Sequence, residues 1–497
     1  MGMVEDRAKN LLQNYKLTPA TLAHKLDPSW YPAPWLLYTS SIVARAIIEG
    51  NARIIISAPP RHGKSRLITV YTSLWVQEVI KTAHIILTSY GADLSKDFGR
   101  EVRNIIEANH NLLDVRIAPD RSQAGAWSNQ WGGSMVSVGL GGPITGRGAH
   151  VLLIDDYIKE IKEALSDTTR EYIWNWFSTT AFTRLEPGGS CIVIATRWHH
   201  DDLIGRILKY NPGGKWQYIH LPALAMENDV LGRAVGEPLF PERYPLEVLE
   251  ERKQTLGSFF FNALFQQVPE NPDAKITDRN WLQVIPNINI DNAAPRTRAR
   301  VWDLAASEDA GDYTTGGLYE YDRGLDTMFT MNMIRTQKSS GGVEELVRRI
   351  AVADGTGVTI YIEQEPGSSG KALIHHYKTN ILPEFNVIEV PATDGKLTRA
   401  QPMLAAAEAG HVKLLEGPWN AALLDEFDFF PGGQHDDQVD NMSIAYVVMS
   451  GKKSYSASWG RSKLERAVQQ GGYRRKLEGG EKPKASFSMA ASWGRRR

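Results

Sequence analysis

Cysteine and long apolar runs are both scarce in this sequence. The single cysteine, Cys191, has no partner for an internal disulfide, which fits a reducing compartment. No run of about 18 apolar residues is present, and the amino-terminal Met-Gly-Met-Val-Glu-Asp lacks the basic and then apolar order of an export signal. We therefore expect a cytoplasmic protein without membrane association.

A large net charge is also absent, because 56 basic and 57 acidic side chains leave −1 at pH 7. The charge is unevenly placed, since residues 451–497 contain 13 Lys and Arg residues against three acids. This tail is rich in Gly and Ser and repeats Ala-Ser-Trp-Gly-Arg, a composition that cannot bury a core. We predict a basic flexible tail that either contacts DNA phosphates or is merely solvated.

A phosphate-binding loop is predicted near the start of the chain. Residues 54–56 form an apolar run typical of a buried parallel strand. The strand is followed by the loop Pro59-Pro60-Arg61-His62-Gly63-Lys64-Ser65. The loop backbone can hold phosphates, Lys64 can reach their β and γ oxygens, and the Ser65 hydroxyl can ligate Mg²⁺. Ala58 stands where the usual motif has its first glycine, so a plain strand-to-helix turn is the alternative.

An acidic strand end provides the partner that such a loop needs. Four apolar residues place Asp155 at the carboxyl edge of the predicted strand 151–156, where it can hold the hydration shell of Mg²⁺. Asp156 can then polarise the attacking water. The alternative is that the two carboxylates only cap the next helix.

Three more residues are candidates around this nucleotide site. Thr196 lies at the end of the predicted strand 190–197, at the place of a nucleotide-state sensor. Arg147 and Arg197 could stabilise the transferring phosphoryl group, although each could equally be a surface or salt-bridging arginine. The alternation of apolar strands with helices predicts an α/β fold with a doubly wound parallel sheet.

Acidic residues in separate elements mark the second half of the chain. Asp303 is predicted in the middle of a strand, Glu363 at the end of another strand, and Asp437 and Asp440 one turn apart on a helix. Such a set suits two divalent ions about 4 Å apart, which activate water and stabilise the leaving oxygen of a phosphodiester. Isolated acids at strand ends are usually only solvated, but a buried, unpaired carboxylate such as Asp303 would be costly.

The two halves together resemble the large terminase subunit of tailed double-stranded DNA bacteriophages. The most specific stretches, in chain order, are Pro-Pro-Arg-His-Gly-Lys-Ser, Thr-Gly-Arg-Gly-Ala, Leu-Ile-Asp-Asp, Ala-Thr-Arg-Trp-His and His-Asp-Asp-Gln-Val-Asp. The resemblance extends to about residue 449 and leaves out the tail. It implies an N-terminal P-loop NTPase sheet followed by a C-terminal RNase H-like α/β nuclease domain.

The resemblance also implies roles for individual residues. It assigns ATPase roles to Lys64, Ser65, Asp155 and Thr196. It assigns the nuclease triad to Asp303, Glu363 and Asp437, with Asp440 as a fourth candidate. Two departures are visible: many terminases have Glu where this chain has Asp156, and Glu365 competes with Glu363 for the second nuclease position.

Cofactors and partners follow from the same resemblance. It implies ATP and Mg²⁺, with Mn²⁺ able to substitute in the nuclease site. The implied partners are double-stranded DNA, a small terminase subunit and the capsid portal, where copies would form a ring although the isolated chain can be a monomer. It implies the bacterial host cytoplasm, and transiently the procapsid portal, as the location.

From these observations we predict four regions and one function. The regions are an ATPase domain over 1–221, a linker region over 222–295, a nuclease domain over 296–450 and the tail over 451–497. The function is a motor that drives DNA into a procapsid and cuts concatemeric DNA. The alternatives are a DNA motor with an inert docking domain and a recombination or repair helicase-nuclease.

Overall fold

The computed structural model describes residues 16–272, 275–288, 296–305, 311–392 and 395–452. The predicted tail beyond residue 452 lies outside this part of the chain. Two separate sheets organise the described residues. No helix among them combines the length and the apolar character needed to cross a bilayer.

The first sheet has eight strands in the order β3-β4-β5-β2-β6-β7-β1-β8. Its strands are β1 Arg53–Ser57, β2 His84–Ser89, β3 Ile117–Gln123, β4 Ala126–Asn129, β5 Ser134–Gly139, β6 Ala149–Asp155, β7 Leu185–Ala195 and β8 Gln217–His220. The six strands from β5 to β8 in this order are parallel, and β3 and β4 add an antiparallel edge. The parallel sheet predicted from the apolar runs is confirmed, with β7 lying between β1 and β6.

Burial explains why these short apolar runs become central strands. Ile54, Ile55 and Ile56 are each at most 1% exposed. Because successive strand residues point to opposite faces, both faces of the sheet must be covered. The helices of this half are α1 Pro19–Leu26, α2 Pro34–Glu49, α3 Thr72–Val79, α4 Ala92–Ala108, α5 Ile161–Leu165, α6 Asp167–Trp176 and α7 Leu203–Lys209.

The second sheet has seven strands in the order β14-β13-β10-β11-β12-β15-β9. Its strands are β9 Gln283–Ile285, β10 Arg296–Asp303, β11 Thr314–Asp322, β12 Thr327–Thr336, β13 Thr359–Gln364, β14 Val387–Pro391 and β15 Val412–Leu415. Strands β10, β11 and β12 form an antiparallel meander, and β13 and β14 continue the sheet parallel to β10. The five strands β14-β13-β10-β11-β12, with β10 at their centre, have the RNase H topology.

Helices cover this second sheet. They are α9 Ser340–Asp354, α10 Ser368–His376, α11 Lys396–Glu408, α12 Asn420–Phe429 and α13 Asp437–Ser450. Trp302 of β10 is fully buried in a cluster with Val347 of α9 and Ile374 of α10. On β10, Arg300 is also buried, and its guanidinium pairs with Asp354 at 2.7 Å.

The region predicted as a linker contains regular structure that serves both halves. Helix α8, Leu246–Leu264, is interrupted at Gly257, which has φ 75° and lets the axis bend. Past the bend, the Ser258 N–H donates to the Glu408 carboxylate of α11 at 2.7 Å. Strand β9 pairs with β15 and so belongs to the second sheet. The four domain limits remain a prediction.

Candidate active sites

The phosphate-binding loop follows β1 at the carboxyl edge of the first sheet. Gly63 has φ 96°, a conformation that a side chain would strain, so glycine is needed there. Lys64 is 6% exposed. The chain then enters a π-helical turn, Arg66–Tyr71, before α3. Turns of this kind are often found at functional sites, and this one places Thr69 beside the loop.

Asp155, the last residue of β6, lies next to the loop and is 1% exposed. The Ser65 hydroxyl donates to Asp155 Oδ1 at 3.1 Å, and the Thr69 hydroxyl donates to Asp155 Oδ2 at 2.6 Å. Burial, and then the charge of Asp156, raise the pKa of Asp155 to about 7, although Lys64 and the two hydroxyls oppose the shift. A divalent cation beside Ser65 and Asp155 would favour the charged carboxylate.

Asp156 connects the loop to the neighbouring strand. Its carboxylate Oδ2 pairs with Lys64 Nζ at 2.9 Å, and its Oδ1 accepts from the Thr196 N–H at 3.0 Å. The Thr196 hydroxyl donates to the Ala58 carbonyl at 3.2 Å. One carboxylate therefore contacts both Lys64 and the end of β7, which is the position predicted for a sensor.

The two arginines occupy different environments. Arg197 is buried, and its Nε donates to Asp202 at 2.8 Å. Arg197 therefore forms a salt bridge, which was the alternative to a role at the phosphoryl group. Arg147 is exposed and lies two residues before β6 begins, at the opposite end of that strand from Asp155. Six residue steps along a strand span about 20 Å. The fold therefore brings together Lys64, Ser65, Asp155, Asp156 and Thr196, but not Arg147.

The other loop residues differ in exposure. Arg61 is exposed, with φ 63°. His62 is fully buried and stacks on Tyr244 with 4.5 Å between ring centroids. Burial lowers the pKa of His62 to about 3, and its Nδ1 lies 2.9 Å from the Pro60 carbonyl oxygen. The His62 side chain therefore holds the loop in place, which leaves the loop backbone for a phosphate.

In the second sheet, Asp303 ends β10 and does not lie in the middle of a strand as predicted. The prediction was wrong because the strand both begins earlier than expected, at Arg296, and stops at Asp303. The Arg296 guanidinium pairs with Asp322 on β11. Burial and the charges of Glu363 and Asp440 raise the pKa of Asp303 to about 8. Glu363 lies on adjacent β13, whereas Glu365 is exposed beyond the strand end.

Helix α13 brings two more acids to this strand edge. Asp437 and Asp440 are 6% and 4% exposed, and burial raises the pKa of both, that of Asp440 to about 7. Asp437 Oδ2 and Asp440 Oδ1 are buried oxygens without a hydrogen-bond partner. Such orphaned acceptors are what a divalent cation would satisfy.

A buried asparagine anchors that helix on the sheet. The Asn441 amide donates to the Val301 and Thr315 carbonyls at 3.1 and 3.2 Å, and its oxygen accepts from the Tyr319 hydroxyl at 2.7 Å. Asn441 follows Asp440 directly, so these bonds fix where the acids of α13 point.

The acids share their site with an arginine. Arg399 of α11 hydrogen-bonds Glu363, and its Nη2 lies 3.4 Å from Asp440 Oδ2. Across the described ranges, no three His, Cys, Asp or Glu side chains lie in a geometry that holds a metal ion. The four predicted acids are thus close enough to shift one another's pKa, but their donor oxygens do not yet converge.

Sequence reasoning missed Thr69, Asn441 and Arg399. The position of Thr69, four residues after Ser65, was a usable signal, because one helical turn returns it to the loop. Asn441 beside Asp440 was a weaker signal. Arg399 had none, since its contact depends on how α11 packs.

These features define a class of protein, a P-loop NTPase joined to an RNase H-like nuclease. The amino-terminal half matches the family model described as terminase large subunit, T4likevirus-type, N-terminal, over residues 55–263. Residues 300–448 match the terminase RNaseH-like domain. The chain belongs to the large terminase subunits, the ATPases and nucleases of viral genome packaging. The second match also favours a nuclease over an inert docking domain.

Several solved structures are similar to this chain. The large terminase of the thermophilic bacteriophage D6E in complex with ADP is 12% identical, covering 81% of this chain and 95% of its own, with a TM-score of 0.42. The bacteriophage HK97 large terminase is 12% identical, covering 80% and 91%, with a TM-score of 0.32. The nuclease domain of bacteriophage SPP1 g2p with bound Mn is 14% identical, covering 34% and 98%, with a TM-score of 0.25. No curated protein matches significantly.

Proposed function

We propose that the loop at residues 61–65 binds the phosphates of ATP and that Asp156 is the base for hydrolysis. Lys64 pairs with Asp156 at 2.9 Å. The γ-phosphate competes for the Lys64 ammonium and draws it away from the carboxylate. Asp156, still oriented by the Thr196 N–H, is then free to accept a proton from the attacking water.

Asp155 and Ser65 are the residues that would hold Mg²⁺ at this site. Their 3.1 Å hydrogen bond already places the two oxygens side by side. The ion would supply charge neutralisation for the β and γ phosphates. Thr69 orients the other Asp155 oxygen, so the carboxylate cannot rotate freely.

Thr196 is proposed to transmit the state of the nucleotide. The residue after it, Arg197, donates its N–H to the Gln267 side chain at 2.9 Å, and Gln267 lies three residues beyond α8. A change in the Asp156 contacts therefore reaches α8 through two hydrogen bonds. Since α8 also contacts Glu408 in the second half, this route connects ATP hydrolysis with the nuclease domain.

The second proposed site cuts DNA with divalent ions held by Asp303, Glu363, Asp437 and Asp440. The donor set suits Mg²⁺ or Mn²⁺, because all four ligands are carboxylates and two of their oxygens are buried without partners. The ions would supply activated water and stabilise the leaving oxygen. Asn441, which is hydrogen-bonded to β10 and β11, positions the two acids of α13.

One observation carries the proposal: a single chain holds two separate carboxylate sites, one bonded to a phosphate-binding loop and one on an RNase H-like sheet. The test uses Lys64→Ala and Asp303→Asn in parallel assays of ATPase activity and of supercoiled plasmid cleavage with Mg²⁺ or Mn²⁺. We expect Lys64→Ala to lose ATPase activity only and Asp303→Asn to lose cleavage only. Loss of both activities in either well-folded variant would contradict independent sites.

The proposed partners are those of a packaging motor. We propose that the chain acts on double-stranded DNA with a small terminase subunit, and that copies form a ring on the procapsid portal in the host cytoplasm. Arg147 lies at the opposite end of β6 from Asp155, so we do not assign it a role at its own nucleotide site. Stimulation of the ATPase by portal protein would separate this function from that of a repair helicase-nuclease.

A further inference from the structure

The positively charged side chain of Arg399 lies among the acids of the proposed nuclease site. The Arg399 guanidinium bonds Glu363 through one nitrogen and lies 3.4 Å from Asp440 through another. These are two of the four acids proposed to bind metal.

This arginine is held in the site by its surroundings. Its side chain is 18% exposed, and its Nε is buried without a hydrogen-bond partner. Arg399 lies near the start of α11, and Glu408 at the far end of the same helix is bonded to Ser258 of α8. Lys396, one turn earlier on α11, pairs with Asp436 at 2.7 Å. A packed helix, and not a loose surface chain, therefore presents the guanidinium to the acids.

A guanidinium and a metal ion compete for the lone pairs and the negative charge of the carboxylates that they share. Arginine has five donors and no acceptor, so it cannot itself ligate a metal. Positive charge beside the acids also repels a second cation. Glu363 and Asp440 each direct one carboxylate oxygen toward Arg399.

Resting on the proposed nuclease function, we propose that Arg399 is a resident counter-ion that competes with divalent ions for Glu363 and Asp440. While the guanidinium contacts these carboxylates, its positive charge and its hydrogen bonds weaken their binding of a metal ion. Arg399 thereby sets the metal concentration at which the nuclease becomes active. Its guanidinium also neutralises part of the negative charge of the acids when no metal ion is bound.

The test measures Mn²⁺ binding to the full chain without DNA or nucleotide, by electron paramagnetic resonance of free Mn²⁺. The site of interest is the binding that Asp303→Asn removes. Arg399→Gln deletes the charge and should lower the Kd of that site about tenfold or more. Arg399→Lys keeps the charge but loses the two-nitrogen contact, so its Kd for Mn²⁺ should lie between that of the unmodified chain and that of Arg399→Gln. Arg348→Gln is the control, because Arg348 pairs with Glu384 on the surface of the same domain.

The outcomes separate the two levels of the proposal. If Arg399→Gln binds Mn²⁺ no tighter than the unmodified chain while the Asp303-dependent site persists, competition by Arg399 is overturned and the metal site stands. If Arg399→Gln does not fold, an Arg399→Lys chain that binds Mn²⁺ no more tightly than the unmodified chain overturns it equally. If Asp303→Asn removes no binding from any chain, the metal site fails and this inference fails with it.

Discussion

Replacing Asp156 with Asn should strengthen ATP binding and weaken hydrolysis at the same time. The Asp156 carboxylate pairs with Lys64 at 2.9 Å, so a phosphate that binds Lys64 has to displace this carboxylate. The gross attraction at this distance is roughly 6 kcal/mol for an effective dielectric constant of 20, but the cost of desolvating both charges offsets most of it. A net of about 1–2 kcal/mol remains, toward the lower end of the range for hydrogen bonds to charged groups because the Asp156 side chain is 27% exposed. We therefore expect ATP to bind about 5–30-fold more tightly.

Hydrolysis should respond in the opposite direction. Loss of a general base lowers kcat by about 10²–10⁴-fold. Asn can still accept the Thr196 N–H, so the end of β7 should keep its position. Fluorescent-nucleotide displacement gives the Kd, and steady-state phosphate release gives kcat. A variant that binds ATP more weakly than the unmodified chain would refute the competition between Asp156 and phosphate for Lys64.

Three further perturbations test individual contacts. Thr69→Val removes the hydrogen bond that the Thr69 hydroxyl donates to the buried Asp155 carboxylate, and such a bond is worth roughly 1.5–3 kcal/mol. The affinity for Mg-ATP should therefore fall about 10–100-fold in the same displacement assay. An unchanged Kd would show that Asp155 needs no such support. Asn441→Leu leaves buried carbonyls unpaired and should lower the free energy of unfolding by roughly 3 kcal/mol in urea titrations. The fraction of the variant that folds should no longer cleave plasmid. Full cleavage would contradict the positioning role of Asn441. His62 has a folded pKa of about 3, below its unfolded value, so its stabilising effect is complete above pH 6.5 and is lost as the pH falls. Between pH 7.5 and 5.0 His62→Gln should therefore lose about 2 kcal/mol less stability than the unmodified chain, and equal losses would contradict this.

The first sheet could be predicted well because its strands are nearly continuous apolar runs. Such runs indicate buried parallel strands without any knowledge of their neighbours. Asp155 and Thr196 could be found for the same reason, since residues at the carboxyl ends of parallel strands meet at one edge. The position of β7 between β1 and β6 could not be predicted, because strand order depends on long-range pairing.

The second site was less accessible to sequence reasoning. Charged residues alternate at the start of β10, where Arg296 pairs across to β11, and this polar beginning hid the true length of the strand. The choice between Glu363 and Glu365 depended on where β13 ends. Arg399 enters the site only through the packing of α11, which no local pattern records. Arg147 shows the converse, since a motif suggested a role and the path of the chain takes the residue to the other edge of the sheet.

Packaging itself tests the central claim most directly. The measurement is ATP-dependent protection of linear double-stranded DNA from an added nuclease, in the presence of empty cognate procapsids that carry the portal. The account predicts that the unmodified chain and Asp303→Asn both protect pre-cut DNA, and that Lys64→Ala protects none. Protection by Lys64→Ala, or no protection by the unmodified chain with an active ATPase, would contradict the motor function derived from these two sites.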